Sequence, residues 1–230
     1  MITLAGEPRT WGGLESETQM SEIKEIEELA NRIASMRGST RRIVAIAGPP
    51  GSGKSTFADH LNQYLNRERA CPAEILAMDG FHYDDMILVP SGLRSRKGAP
   101  DTFDVDGLAV TLQRLGADDG RNVAVPVFDR GIEIARAGAR IIAASVRVII
   151  VEGNYLLLDD PNWSALRGHF DLTVMLDVSD AILEDRLSER WRTHGFDAAA
   201  LREKLEDNDL PNARLVKAKS VKADYVIINY

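Results

Sequence analysis

An α/β fold, a buried parallel sheet with helices on both faces, is what this 230-residue sequence predicts. Three observations predict it. Short, nearly continuous apolar runs recur along the chain, as in strands covered on both sides. Helical apolar patterns lie between most of them, so strand alternates with helix. A glycine-rich turn joins the first apolar run to the first of those helices. With 44% hydrophobic and 27% charged residues, the composition is that of an ordinary globular chain and not a disordered one.

Residues 1–19 contain Pro8, Gly12, Gly13, Glu15 and Glu17 but no apolar stretch. They read as a flexible lead rather than a secretory signal, with Met20 as a candidate alternative start. Over 20–38, Ile23, Ile26, Leu29, Ala30 and Ile33 recur at helical spacing, and Glu22, Glu25, Glu27 and Glu28 fill the other face. This is one amphipathic helix stopped near Gly38, and it either covers the main domain, residues 39–230, or joins a homodimer. Strands are expected at 43–47, 74–78, 146–151, 172–177 and 225–228. Helices are expected at 54–66 (Phe57, Leu61, Tyr64, Leu65), at 105–115 (Leu108, Leu112, Leu115) and at 180–191 (Leu183, Leu187, Trp191). Residues 123–128 and 132–135 flank Asp129-Arg130-Gly131 and look like a hairpin beside the sheet.

Charge and cysteine content exclude several classes. Lys plus Arg number 28 and Asp plus Glu 35, a net charge of −7, which argues against gripping a nucleic-acid backbone. No apolar run approaches the ~18 residues of a membrane span. The single cysteine, Cys71, rules out an internal disulfide and a Cys-based zinc cluster and suits a reducing, cytoplasmic setting.

The strongest chemical signal is Gly48-Pro49-Pro50-Gly51-Ser52-Gly53-Lys54-Ser55, followed by Thr56. It matches G-x-x-x-x-G-K-[ST] at every fixed position. Backbone N–H groups of such a loop surround a phosphate, and the positive end of the following helix adds to the attraction. Lys54 supplies a point charge for the outer phosphates of ATP, and Ser55 a hydroxyl for Mg²⁺. The guanine-specifying N-K-x-D and the transporter L-S-G-G-Q are missing, so the strand ends decide the activity. In an open α/β sheet, ligands bind beyond the carboxyl ends of the strands. The second strand runs into Met78-Asp79-Gly80-Phe81-His82-Tyr83. There Asp79 can take a proton from an attacking hydroxyl, sit beside the metal, or merely cap a turn. The third strand runs into Val151-Glu152-Gly153, where Glu152 is either the acidic partner of Ser55 at Mg²⁺ or half of a buried ion pair.

Taken in order, these pieces resemble the phosphoribulokinase and uridine kinase family of P-loop small-molecule kinases. Further matches are Arg96 to Asp104, Pro126 to Arg130, Arg186 to Trp191, Asn208 to Arg214 and Ala223 to Ile228, so the resemblance covers nearly everything after Arg41. Within the family it most resembles bacterial proteins of the fructose transport system kinase or nucleoside kinase-like type, related to bacterial pantothenate kinases. The resemblance implies a P-loop NTPase three-layer fold with a five-stranded parallel core, a hairpin flap and a helical lid near 184–196. It implies ATP, Mg²⁺ and a small hydroxyl-bearing acceptor: sugar, nucleoside or pantothenate-like. Asp79 matches the catalytic carboxylate and Glu152 the Mg²⁺-side acid. Arg186 and Arg190 match the lid arginines.

Helical geometry sorts the lid. Arg186 and Arg190 are neighbours one turn apart, whereas Arg192 points away from the apolar stripe. An alternative is a solvated face paired with Glu189 and Asp185. Lys97 and Asp101 are expected to border the acceptor, together with His82, Tyr83, Phe128 and Arg130. Asp104 either joins them or caps the next helix. Asp129 and Arg130 pair with each other or with substrate. Asn212 and Arg214 are expected to edge the adenine. His60, His169 and His194 read as ordinary histidines, and Trp163 and Trp191 as packing anchors. The alternative function is a non-catalytic ATP-binding regulator associated with a sugar transporter. An intact Asp79, Glu152 and lid weigh against it.

Overall fold

The structure, a computed structural model, describes residues 17–36, 38 and 40–228. Of the lead expected over 1–19, residues 1–16 lie outside the described residues, whereas 17–19 already belong to the first helix. In chain order the first elements are α1 (Glu17–Ser35), β1 (Arg42–Ala47), α2 (Lys54–Glu68), β2 (Ala73–Ala77), α3 (Asp85–Leu88) and α4 (Val105–Gly116). Then come β3 (Val123–Asp129), β4 (Ile134–Ile142), β5 (Val148–Gly153), β6 (Leu172–Asp177), α5 (Asp180–Thr193), α6 (Ala198–Lys204), α7 (Leu210–Lys219) and β7 (Tyr225–Ile228).

The five-stranded sheet has the order β2-β5-β1-β6-β7, and every neighbouring pair is parallel. Side chains alternate across a strand, and β1 feeds two cores in turn. Ile43, Ala45 and Ala47 join the core under α4, while Val44 and Ile46 join the core under α2. Burial on both faces is why β1 and β5 read as continuous apolar runs, whereas the edge strand β7 buries only Ile227. Helices on both sides of the sheet complete a three-layer P-loop NTPase fold.

Helix α1 belongs to the second core. Ile26, Leu29, Ala30 and Ile33 are buried among Phe57, Leu61 and Leu65 of α2. Burying a large aliphatic side chain contributes roughly 1.5–3 kcal/mol, so the helix is an integral part of the fold. Polar pins reinforce it, with Arg69 Nε donating to Asn31 Oδ1 at 2.8 Å and His60 Nδ1 3.1 Å from Glu22.

Two expected boundaries move. The third main strand begins at Val148 and ends at Gly153, because its register sets Ile46 opposite Glu152 and Ala47 opposite Gly153. Glu152 therefore sits inside the strand, not beyond it. The second hairpin strand is Ile134–Ile142, where 132–135 was expected. Of its residues only Ile142 is buried, so no apolar alternation announced it. The segment α6, the π-helical turn Leu205–Asp209 and α7 was not anticipated as helical either. No helix among the described residues is long and apolar enough to cross a membrane.

Candidate active site

The phosphate end is built by backbone. Gly51 and Gly53 hold φ of +81° and +82°, left-handed values that other residues adopt at a cost. Ser52 N–H donates to Pro49 O at 3.1 Å and closes the loop on itself, so this amide is engaged within the turn. A Cβ at Gly48 would stand 2.7 Å from Ser52 Oγ, which leaves no room for a side chain there. Helix α2 starts at Lys54 with no side-chain cap and no acidic residue in its first turn. Its positive end is left for an anion. The strand–loop–helix unit thus fits the phosphates of ATP.

Beside it, Ser55 Oγ donates to Glu152 Oε2 at 3.2 Å. A hydroxyl next to a carboxylate is a hard oxygen donor set that suits Mg²⁺. Burial pushes the Glu152 carboxyl above the usual range, and the Lys54 ammonium is the main opposing influence. Lys54 is shifted down by burial, while Glu152 and then Asp79 pull it back up. Lys54 therefore lies in the field of both carboxylates.

Asp79 stands on the 3-10 turn Met78–Phe81 that follows β2. Its Oδ2 accepts from Arg130 Nη2 at 2.6 Å. The hairpin can deliver Arg130 because Gly80 lets it come close: a Cβ there would lie 2.8 Å from the backbone oxygen of Pro126. His82 Nδ1 is 2.8 Å from Asp79 O, and its ring lies 4.1 Å from that of Phe103 and 4.7 Å from that of Phe128. Burial pushes the His82 imidazole below its ordinary value, against the pull of Asp79. Lys97 is only 8% exposed and donates to Asp85 Oδ1 at 2.8 Å and Glu133 O at 2.7 Å. It clamps the hairpin to the loop that bears it, and its hydrogen bond holds the Asp85 carboxyl below the usual range.

These groups line a cavity of about 160 Å³ that also touches Pro50 of the phosphate loop. Its far wall carries Arg190, Trp191 and His194 from the end of α5, with Lys204, Asn208, Asp209 and Asn212. Trp191 Nε1 donates to Asp209 Oδ2 at 2.5 Å, and Asn212 Nδ2 to Asn208 Oδ1 at 3.1 Å. The π-helical turn sets Asn208 and Asp209 inward; such turns recur at functional sites.

Of the expected site residues, the cavity brings together Asp79, His82, Lys97, Phe128, Arg130 and Arg190. Others fall elsewhere. Tyr83 faces the start of α4, where Asp104 and Asp106 influence it, and is not among the cavity lining. Asp101 is exposed on a 3-10 turn, outside the lining. Asp104 caps α4 by accepting from Gly107 N at 2.9 Å. Asp129 pairs with Arg136 across the hairpin at 3.1 Å and Arg130 with Asp79 at 2.6 Å, so the two do not pair with each other. Arg186 is half-buried beside the stripe and outside the lining, whereas Arg192 pairs with Glu189 at 3.5 Å. Thr56 and Arg214 are exposed. Asn212, expected to edge the adenine, is 3% exposed in the wall of the Asp79 cavity. A separate hollow of about 260 Å³ on the other side of the loop is walled by Pro49, Asp177, Val216, Lys217 and Ala223. Trp163 is a packing anchor, 1% exposed, but Trp191 and His194 belong to the cavity. Sequence reasoning missed Arg94, Lys204 and Asp209 as site residues, and only Asp209 lay in a segment that had been singled out.

Comparison with known proteins agrees with this geometry. The model of the phosphoribulokinase / uridine kinase family matches residues 43–228. The chain is 30% identical over 219 residues to the uncharacterized protein YggC of Escherichia coli, covering 93% of this chain and 90% of that one. It is 30% identical over 214 residues to a candidate uridine kinase of Schizosaccharomyces pombe, covering 90% and 91%. Among solved structures, a candidate fructose transport system kinase from Silicibacter sp. TM1040 matches with a TM-score of 0.83 and 40% identity, over 88% of this chain and 98% of that one.

Proposed function

The chain belongs to the phosphoribulokinase/uridine kinase family of P-loop small-molecule kinases, and on that premise we propose that it transfers the γ-phosphoryl group of ATP to a hydroxyl of a small metabolite. The observation that carries the reading is the shared crevice. A carboxylate suited to general-base work, Asp79, lies within the electrostatic reach of Lys54, as does Glu152, the partner of Ser55.

Each group then has a task. The loop 48–55 and the start of α2 hold the phosphates, and Lys54 adds its charge at the outer ones. Ser55 and Glu152 would hold Mg²⁺. When bound, that ion neutralises phosphate charge and orients the transferring group. The base of ATP takes the hollow bounded by Pro49, Asp177 and Ala223. Arg130 engages Oδ2 of Asp79 and leaves Oδ1 to accept the proton of the acceptor hydroxyl. As that proton moves to Asp79, the hydroxyl oxygen bonds to the γ-phosphorus and the bond to the ADP oxygen breaks. Arg190 faces the charge that spreads during transfer, and its planar fork suits phosphate oxygens.

The test is ATP consumption with Mg²⁺ across sugars, nucleosides, pantothenate and small hydroxy acids. One strong responder is expected. Tight ATP binding with no responder would replace the kinase by the regulator.

A further inference from the structure

The last turn of α5, which carries Arg190, is held differently from the rest of that helix. The earlier turns are anchored by packing. Leu183 and Leu187 are buried, and a Cβ on Gly51 of the phosphate loop would stand 3.0 Å from Leu187 Cγ. Beyond Ser188 this support ends, and from Glu189 to Lys204 no residue is buried. Arg192 pairs with Glu189 and Asp197 caps α6, so these contacts stay inside the stretch. Among the described residues, the side-chain hydrogen bond that ties the stretch to the body runs from Trp191 Nε1 to Asp209 Oδ2, at 2.5 Å.

Trp191 gathers the stretch around itself. Its ring lies 5.0 Å from that of Phe196 and 5.7 Å from that of His194. The guanidinium carbon of Arg190 and Nζ of Lys204 each stand 5.3 Å from its centre. Fixing the indole therefore fixes the end of α5, the turn after it and the end of α6 together. Asp209 is 7% exposed. Burial pushes its carboxyl above the usual range, while the indole hydrogen bond, then Lys204 and Arg190, pull it back. Burying a carboxylate is costly, and an apolar side chain of similar size is often the more stable choice. What the carboxylate supplies is direction: it accepts the indole N–H along one line, where an apolar contact would let the ring slide.

We propose that Asp209 is a positioning residue for phosphoryl transfer: by holding the indole N–H of Trp191 it sets the last turn of α5 and keeps Arg190 facing the acceptor cavity. This rests on the kinase reading and adds to it a residue that acts through Arg190.

The experiment uses the whole protein, isotopically labelled at its tryptophan indole nitrogens, with Trp191→Phe to identify the Trp191 signal. In Asp209→Ala that N–H signal should move to the position of a water-exposed indole. Hydrogen exchange across 189–204 should speed up by about 10-fold with β1 and β5 unchanged, the pattern of a local opening. For ADP release from MgATP, with and without the acceptor panel, kcat should fall by about 10-fold while the KM for MgATP changes little, the loss of one hydrogen bond to a charged group. Asp209→Asn, which keeps an acceptor oxygen, should restore the signal, the slow exchange and most of the turnover. In an Arg190→Ala background, Asp209→Ala should cost little more. An unmoved Trp191 signal in Asp209→Ala would overturn the proposal. So would exchange that rises equally in β1 and β5, which is a merely structural role, or an Asp209→Asn protein no better than Asp209→Ala. An undiminished loss in the Arg190→Ala background would also overturn it, because Asp209 would then act by another route. A parent that releases no ADP would overturn the kinase reading, and the hold on the lid would then stand or fall on the indole signal and the exchange alone.

Discussion

The two ends of the catalytic crevice are built differently. The phosphate end is one continuous segment, Gly48 to Ser55, between a buried strand and the helix it starts. Its grip comes from backbone conformation and a helix terminus, and a single strand neighbour, β5, completes it through Glu152. The acceptor end is assembled from side chains on many separate stretches, among them the turn after β2, the loop at 94–98, the hairpin, the ends of α5 and α6 and the π-helical turn. Its polar groups hold one another, Arg130 on Asp79 and Trp191 on Asp209. A backbone cradle carries the common part of the reaction. A side-chain cradle can change its ligand residue by residue without disturbing the fold.

That contrast makes measurable predictions. The largest effect is expected at the phosphate end. Lys54→Ala should lower turnover by about 10³-fold, the upper end for one electrostatic contact to the reacting group. It should also shrink the rise in Tm that MgATP produces, while the ligand-free Tm stays near that of the parent. Equal MgATP shifts in mutant and parent would show that the cradle does not depend on its lysine. At the junction of the two ends, Arg190→Ala should lower kcat by about 10²-fold and weaken MgATP less, as for a group that acts in the transition state. Arg192→Ala, which loses only a surface pair with Glu189, should do much less. A more damaging Arg192 would reverse the placement of the lid.

The smallest effect concerns His82. Its imidazole is depressed below 6.5 in the folded protein, chiefly by burial between Phe103 and Phe128. The unfolded chain therefore binds more protons as pH falls through that range. Stability present above the unfolded value is lost toward the lower folded value. Between pH 7.5 and pH 5.5, the Tm of His82→Gln should fall less than that of the parent. Parallel Tm curves would mean that other groups set the acid sensitivity.

The same contrast explains what could be read from the sequence. The central strands β1 and β5 were visible because burial on both faces leaves unbroken apolar runs, and the edge strand β7 was visible from its apolar sequence although only Ile227 of it is buried. The loop was visible because its glycines and Lys54 act locally. Strand β4 was hidden because most of its side chains are exposed. Asn212 was read only from lying in a matched segment, and its place in the wall of the Asp79 cavity follows from the packing of α7 and the π-helical turn before it. Lys204 was silent: a lysine on a short helix looks like any solvated lysine until Trp191 and Arg94 are brought to it. Tyr83 and Asp101 neighbour site residues in sequence but stand outside the cavity lining.

The central claim is that Asp79 joins the two ends, taking the acceptor's proton beside the phosphates gripped by Lys54. The direct measurement is Asp79→Asn, with kcat, MgATP affinity and Tm determined on one preparation. The substitution keeps the size and removes the base. General-base contributions are about 10²–10⁴-fold, so kcat should fall by that much while MgATP affinity changes little and the protein stays folded. Near-parental turnover would contradict the account and take Asp79 out of the mechanism.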